Sequence, residues 1–141
     1  MVAASGGKAS TPPPGLLEAA AEAARRSYAP YSKFHVGAAI RLSDGRIFSG
    51  ANVENASYGL TICAERAAIF RAVAEAGPGI AIEEVAIVTS DLKDCAPCGA
   101  CLQVTSEFGE DPRFLFYVGG RLRHAHLSDL MPQQFKLKLG L

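Results

Sequence analysis

Six side chains in this chain have the types and spacing for chemistry: Cys63, Glu65, Arg66, Cys95, Cys98 and Cys101. In Cys98-Gly99-Ala100-Cys101 two thiols stand at i and i+3 at the start of a predicted helix. Unpaired N–H groups and the helix dipole at such a terminus lower a thiol's pKa and favour metal ligation. Cys63 sits at the start of another predicted helix. Two helix N-termini meeting over the edge of a sheet would present three thiolates to one zinc ion, leaving the fourth tetrahedral position for water, which separates a catalytic zinc from a structural one. Three thiolates leave the centre with a net negative charge, and Arg66, one turn from Cys63, is placed to hydrogen-bond them and offset it. Glu65 supplies the second half of the chemistry, because a carboxylate beside bound water can take its proton and deliver protons elsewhere. Cys63 and Glu65 would not share a face of a regular helix, so Cys63 is expected at the helix boundary.

The cysteines alone leave other readings open. A Cys-x-x-Cys also serves as a structural zinc knuckle, a redox pair or two small core residues. Cys95-x-x-Cys98-x-x-Cys101 mimics an iron–sulfur run, but Leu102-Gln103-Val104-Thr105 stands where the closing Cys-Pro would be. Adding Cys95 would make a closed four-cysteine zinc site, although Cys95 should precede the helix with Pro97 intervening.

The elements that would position these groups are legible in the pattern. Leu16 to Ser27 reads as a first helix, stopped before Ala29-Pro30, with Tyr28 to Ser32 a loop. Val36 to Ile40 and Ile47 to Ala51 flank Ser43-Asp44-Gly45-Arg46, and an Asp-Gly between apolar runs predicts an antiparallel hairpin. Ile62 to Ala76 reads as an alanine-rich helix ended by Gly77-Pro78-Gly79. Val85 to Thr89 is a β-branched run suited to a strand covered on both faces, Cys98 to Phe108 is helical, and Phe114 to Val118 is a further strand. His124 and His126 alternate on an expected last strand, where no third ligand is near, and His35 is expected to face away from the core from a strand position. Alternation of helix and strand predicts an α/β fold rather than layers of one type.

Composition narrows the function classes. The 141 residues are 49% apolar, enough for one core and too few for a second domain. Lys plus Arg equal Asp plus Glu at 14 each, so the positive field that drives binding to nucleic acid is missing. Residues 1–14, small residues and prolines with Lys8, are expected to be a disordered tail, with residues 15–141 as the catalytic domain. No apolar stretch is long enough for a signal or a membrane span, and cysteines crowded without secretion signals suit metal chemistry in the cytoplasm.

Cys63-Ala64-Glu65-Arg66 followed by Pro97-Cys98-Gly99-Ala100-Cys101 resembles the zinc-deaminase signature, in which ligand-x-Glu precedes Pro-Cys-x-x-Cys and the Glu is not a ligand. Cysteine rather than histidine as first ligand leans away from the branch that edits polynucleotides. With Phe34-His35-Val36-Gly37-Ala38-Ala39, Asn52-Val53-Glu54-Asn55-Ala56-Ser57-Tyr58 and Thr61 to Ala68, the chain resembles the small homotetrameric cytidine deaminases from about Leu16 to Phe135. That resemblance implies a three-layer α/β/α sandwich with a five-stranded mixed sheet, and zinc-dependent hydrolytic deamination of cytidine and 2′-deoxycytidine to uridine and 2′-deoxyuridine. It implies Cys63, Cys98 and Cys101 as zinc ligands, one ion per subunit, and Glu65 as proton shuttle. Asn52 and Glu54 match the pair that grips the ribose 3′-hydroxyl; Phe34 matches an aromatic lining the pocket, a position that burial pattern alone would assign to the core. Ala64 matches a position whose backbone holds the pyrimidine edge. Phe135 resembles a C-terminal aromatic that reaches a neighbouring subunit's base in a homotetramer with composite sites. Leu102 departs from a position that is basic in many relatives, and Lys136-Leu137-Lys138-Leu139 departs from their endings.

Overall fold

A computed structural model describes residues 15–137; the expected tail at 1–14, and Lys138 and Leu139 of the divergent ending, lie outside the described residues. The elements are α1 (Leu16–Ala24), β1 (Val36–Leu42), β2 (Ile47–Ala51), a 3₁₀ turn (Tyr58–Leu60), α2 (Ala64–Ala76), β3 (Ile82–Thr89), α3 (Gly99–Ser106), β4 (Arg113–Val118), β5 (Arg121–His126) and α4 (Leu127–Leu130).

The five strands form one mixed sheet in the order β2-β1-β3-β4-β5. β1 is antiparallel to both β2 and β3, β3 is parallel to β4, and β5 returns antiparallel to β4. The Asp44-Gly45 hairpin forms as its sequence predicts, with Gly45 at φ 94° and Asp44 Oδ1 accepting from Arg46 N at 3.0 Å. The parallel step from β3 to β4 needs a crossover, and α3 lies within it.

Strand alternation sorts the core into two layers. Val36, Ala38, Ile40 and Leu42 of β1 face α2, together with Val85, Ile87, Phe114 and Phe116. Ala39, Ala86, Val88 and Leu115 face the other way, onto Leu16 and Ala20 of α1. The result is the three-layer α/β/α sandwich, with α2 and α3 on one face and α1 on the other. Leu102 is buried in the α2-side core.

Several boundaries differ from the sequence pattern, and at two helix ends a tertiary hydrogen bond outcompetes helix propensity. α1 stops at Ala24 rather than Ser27, since Tyr28 pairs with the strand end: its N–H meets Asn52 O at 3.0 Å, and its carbonyl accepts from Glu54 N at 2.9 Å. α2 starts at Ala64 rather than Ile62 because Ile62 and Val53 exchange both backbone hydrogen bonds at 3.0 Å. β3 begins at Ile82, as β1 continues its pairing across a bulge to Leu42. The 3₁₀ turn and α4 carry no periodic signal long enough to be read in advance.

Both helices press directly on backbone. A Cβ on Gly37 would lie 1.9 Å from Ala20 O in α1, and one on Gly50 would lie 2.5 Å from Ala68 N in α2. Farther along, Glu84 of β3 is 5% exposed and is clamped across the sheet by Arg41 Nε at 3.1 Å and Arg113 Nε at 2.9 Å, so its buried charge is paired. Gly37→Ala is expected to destabilise the fold by about 2 kcal/mol through forced separation of α1 from the sheet. Urea unfolding monitored by circular dichroism checks this; an unchanged midpoint would rule out the close approach.

Candidate active site

β2 and β3 both run opposite to β1, so their C-terminal ends lie at the same end of the sheet, and α2 and α3, which follow them, begin there. Cys63 is the N-cap of α2, with extended dihedrals (φ −71°, ψ 155°), and Cys98 is the N-cap of α3 (φ −82°, ψ 165°). Cys63 therefore sits at the helix boundary, as the need to bring it and Glu65 to one site requires. Neither N-cap uses its side chain on the helix, which leaves both sulfurs free to point outward. Cys101, one turn into α3, is fully buried.

Among the described residues, Cys63, Cys98 and Cys101 are the one group of three ligand-type side chains whose donor atoms all lie within 4.8 Å of one another. The Sγ atoms of Cys63 and Cys98 are 3.9 Å apart and those of Cys98 and Cys101 are 3.5 Å apart. Tetrahedral coordination at a Zn–S bond of about 2.3 Å places sulfurs about 3.8 Å from each other. The donor set and its spacing therefore fit zinc. Cys95 stands outside the group: it is half-buried, packed on the core, with its N–H on Tyr117 O at 3.1 Å and its thiol pushed up to about 12 by burial. The four-cysteine site and the iron–sulfur run both fail on this placement.

The electrostatics favour thiolate at the first ligand. A hydrogen bond from the Cys101 thiol, reinforced by Arg66, brings Cys63 down to about 5, while Cys101, as donor in that bond, is raised. Arg66 Nη2 donates to Cys63 Sγ at 3.2 Å, and its Nε is buried with no partner of its own. Contact with Cys63 raises the guanidinium's pKa further, so it remains a fixed cation. Glu65, only 4% exposed, has its carboxyl pushed up to about 7 by burial. That value is matched to a group that must both take and give a proton near neutral pH.

Of the remaining residues named by the sequence, Phe34, Asn52 and Glu54 are tied together at the N-terminal end of β1. Asn52, 8% exposed, is tied to the backbone at both ends of its amide: Nδ2 donates to Phe34 O at 2.8 Å and Oδ1 accepts from Val36 N at 3.0 Å. Phe34 is half-buried and packed against the core, as its burial pattern alone would assign it. Glu54 Oε1 accepts from Tyr31 N at 3.0 Å and Ser32 N at 3.2 Å, and Ser32 Oγ donates to Oε2. Together with Tyr31, Ser32, Tyr58 and Thr61, Glu54 lines a cleft of roughly 380 Å³. Ala64 is buried as the first residue of α2. Phe135 is not gathered in: its ring is 70% exposed, and only its carbonyl is held, by Gln103 Nε2 at 3.1 Å.

Ser32 is the site residue that the pattern left inside a loop. Its signal was a serine two residues before Phe34, whose N–H its hydroxyl accepts at 3.0 Å in a serine turn. The histidines sit elsewhere. His35 precedes β1 rather than lying in it, with Nδ1 3.0 Å from Ser27 Oγ, half-buried against the chain beyond α1. His124 and His126 lie on β5 beside a cavity of about 750 Å³ at the opposite end of the sheet, where Arg41 and Arg113 are paired to Glu84.

A model of the cytidine and deoxycytidylate deaminase zinc-binding region matches residues 14–118. The chain belongs to the cytidine and deoxycytidylate deaminase family. A cytidine deaminase of Halalkalibacterium halodurans is 40% identical to it over 122 residues, 85% of this chain and 91% of that one. The crystal structure of a Burkholderia pseudomallei cytidine deaminase superposes with a TM-score of 0.77 at 46% identity, covering 86% of this chain and 97% of its own. That of the Mycobacterium tuberculosis cytidine deaminase gives 0.72 at 41% identity, covering 86% and 95%. The five-stranded mixed sheet agrees with this family, and the zinc-binding region and the three-sulfur cluster fit one zinc ion per subunit.

Cys98→Ala is expected to reduce zinc from about one ion per chain to well under half, since two thiolates no longer outcompete water. Cys95→Ala should retain about one ion per chain. Metal analysis by mass spectrometry after gel filtration measures both, and loss of zinc in the Cys95 variant would contradict the assignment of ligands.

Proposed function

We propose that this protein catalyses the hydrolytic deamination of cytidine and 2′-deoxycytidine to uridine and 2′-deoxyuridine with release of ammonia. The observation that carries the reading is Glu65: a buried, near-neutral carboxyl two residues from the ligand Cys63, beside a three-sulfur site that leaves a fourth position open. A zinc site held only for stability has no use for such a group.

Cys63, Cys98 and Cys101 would hold zinc, which when bound would make a water acidic enough to serve as the nucleophile toward C4 of the pyrimidine. Glu65 takes the water's proton on its carboxylate and passes it to N3 of the ring; it then takes the proton of the hydroxyl formed at C4 and delivers it to the amine, so that ammonia departs as the C4 carbonyl forms and the carboxylate is restored. Arg66 offsets the negative charge of the sulfurs by donating to Cys63 Sγ. Ala64 offers backbone groups at the start of α2, where the first N–H donors of a helix are unpaired, for the edge of the base.

Asn52 and Glu54 grip the ribose 3′-hydroxyl, and Phe34 forms a wall of the nucleoside pocket. Asn52 acts by a double route, since each of its amide atoms holds backbone around Phe34 and retains one further N–H or lone pair for the sugar. An aromatic side chain held by its backbone and left 70% exposed, as Phe135 is, supports a role across a subunit boundary in a homotetramer with composite sites. The nucleoside, rather than a polynucleotide, suits a chain with equal numbers of acidic and basic residues. Four unpaired cysteines suit a reducing compartment such as the cytoplasm. Among the described residues no helix is long and apolar enough to cross a membrane.

Glu65→Gln is expected to keep zinc and fold but to lower kcat for cytidine by about 10²-fold or more; near-normal turnover in the ultraviolet assay would sink the proposal. Asn52→Ala should raise KM for cytidine about tenfold and also cost about 1–3 kcal/mol in unfolding, because Phe34 O and Val36 N both lose their partner. Free cytosine should remain a poor substrate for both proteins, and cytosine turned over as well as cytidine would refute the nucleoside assignment.

A further inference from the structure

The Glu54 carboxylate has about four lone-pair positions to fill. Two on Oε1 are taken by Tyr31 N at 3.0 Å and Ser32 N at 3.2 Å, and one on Oε2 by the Ser32 hydroxyl. One position, on Oε2, is left toward the cleft lined by Tyr31, Ser32, Tyr58 and Thr61. The Ser32 hydroxyl is itself fully engaged, since it donates to Glu54 and accepts from Phe34 N at 3.0 Å. A hydroxyl carries a single proton, so donation to Glu54 leaves none for a ligand.

We infer that Ser32 is a positioning residue for substrate recognition, its hydroxyl holding the Glu54 carboxylate so that a single Oε2 lone pair faces the nucleoside sugar. Two N–H donors meeting at Oε1 fix that atom but leave the carboxylate free to swing about it, because the terminal torsion of a glutamate is broad. The bond to Oε2 removes that freedom. It also couples Glu54 to Phe34, so that the sugar contact and the aromatic wall move as one unit. The same hydroxyl is foremost in holding the Glu54 carboxyl below the usual range, which keeps it an acceptor. This inference rests on the reading of Glu54 as the acceptor of the ribose 3′-hydroxyl.

The test compares cytidine with 3′-deoxycytidine as substrates for the zinc-loaded enzyme and its Ser32→Ala, Ser32→Thr and Glu54→Gln variants. Ser32→Ala should raise KM for cytidine about tenfold with kcat within about threefold, the pattern of lost uniform binding. Its KM for 3′-deoxycytidine should stay within about twofold of the parent value, because the contact that Ser32 prepares is already absent. Ser32→Thr, which keeps the hydroxyl, should restore most of the loss. Thermal melting and zinc content of each variant separate misfolding from mispositioning, and Ser32→Thr carries the comparison if the alanine variant fails to fold. An equal KM penalty on both substrates, or none, overturns the role of Ser32 while Glu54→Gln still discriminates between them. If Glu54→Gln also treats the two substrates alike, the reading of Glu54 itself falls and the inference falls with it.

Discussion

Three sulfurs must come within bonding distance of one ion, and the protein meets that demand by aiming two helix N-termini at one point. Cys63 and Cys98 are N-caps with extended dihedrals, and Cys101 follows one turn into the second helix. The arrangement serves the thiolates twice. Unpaired backbone N–H groups at each terminus favour negative charge, and capping residues that do not cap leave their side chains available as ligands. Arg66, donating to Cys63 from the next turn of the same helix, adds a cation where the ligands concentrate negative charge.

That convergence depends on close approach of the helices to the sheet. β2 and β3 end at the same edge because each is antiparallel to β1, which brings the starts of α2 and α3 together only if both helices lie tightly on the strands. Gly50 lets the backbone of α2 near Ala67 and Ala68 settle on β2, and Gly37 lets α1 do the same on the opposite face of β1. Alanines at 64, 68 and 72 bury completely in the α2-side core, so the helix approaches without bulky side chains to hold it off. Burial of Glu65 is a by-product of the same packing, and it raises the carboxyl to a value useful in proton transfer.

The cleft that Glu54 lines is assembled by backbone-directed polar side chains rather than by regular structure. Asn52 links Phe34 to Val36, Ser32 links Phe34 to Glu54, and Glu54 draws in the N–H groups of Tyr31 and Ser32. A loop held by so many charge-assisted or buried hydrogen bonds is organised before a ligand arrives, which limits the ordering cost on binding.

Much of this was legible in the order of residues. The Asp44-Gly45 hairpin, the β-branched run of β3 and the alanine-rich α2 are local signals, because turn geometry, β-branching and helix propensity act over a few neighbouring residues. The need to bring Cys63 and Glu65 to one site likewise put Cys63 at a helix boundary, where it stands. What only the folded chain decided are the long-range facts: that Cys95 lies outside the sulfur cluster, that α1 ends at Ala24 because Tyr28 pairs with Asn52, and that Ser32, at the end of the loop after α1, holds Glu54. Each depends on a partner more than twenty residues away, and no periodicity encodes a hydrogen bond between segments that meet only when the sheet has formed.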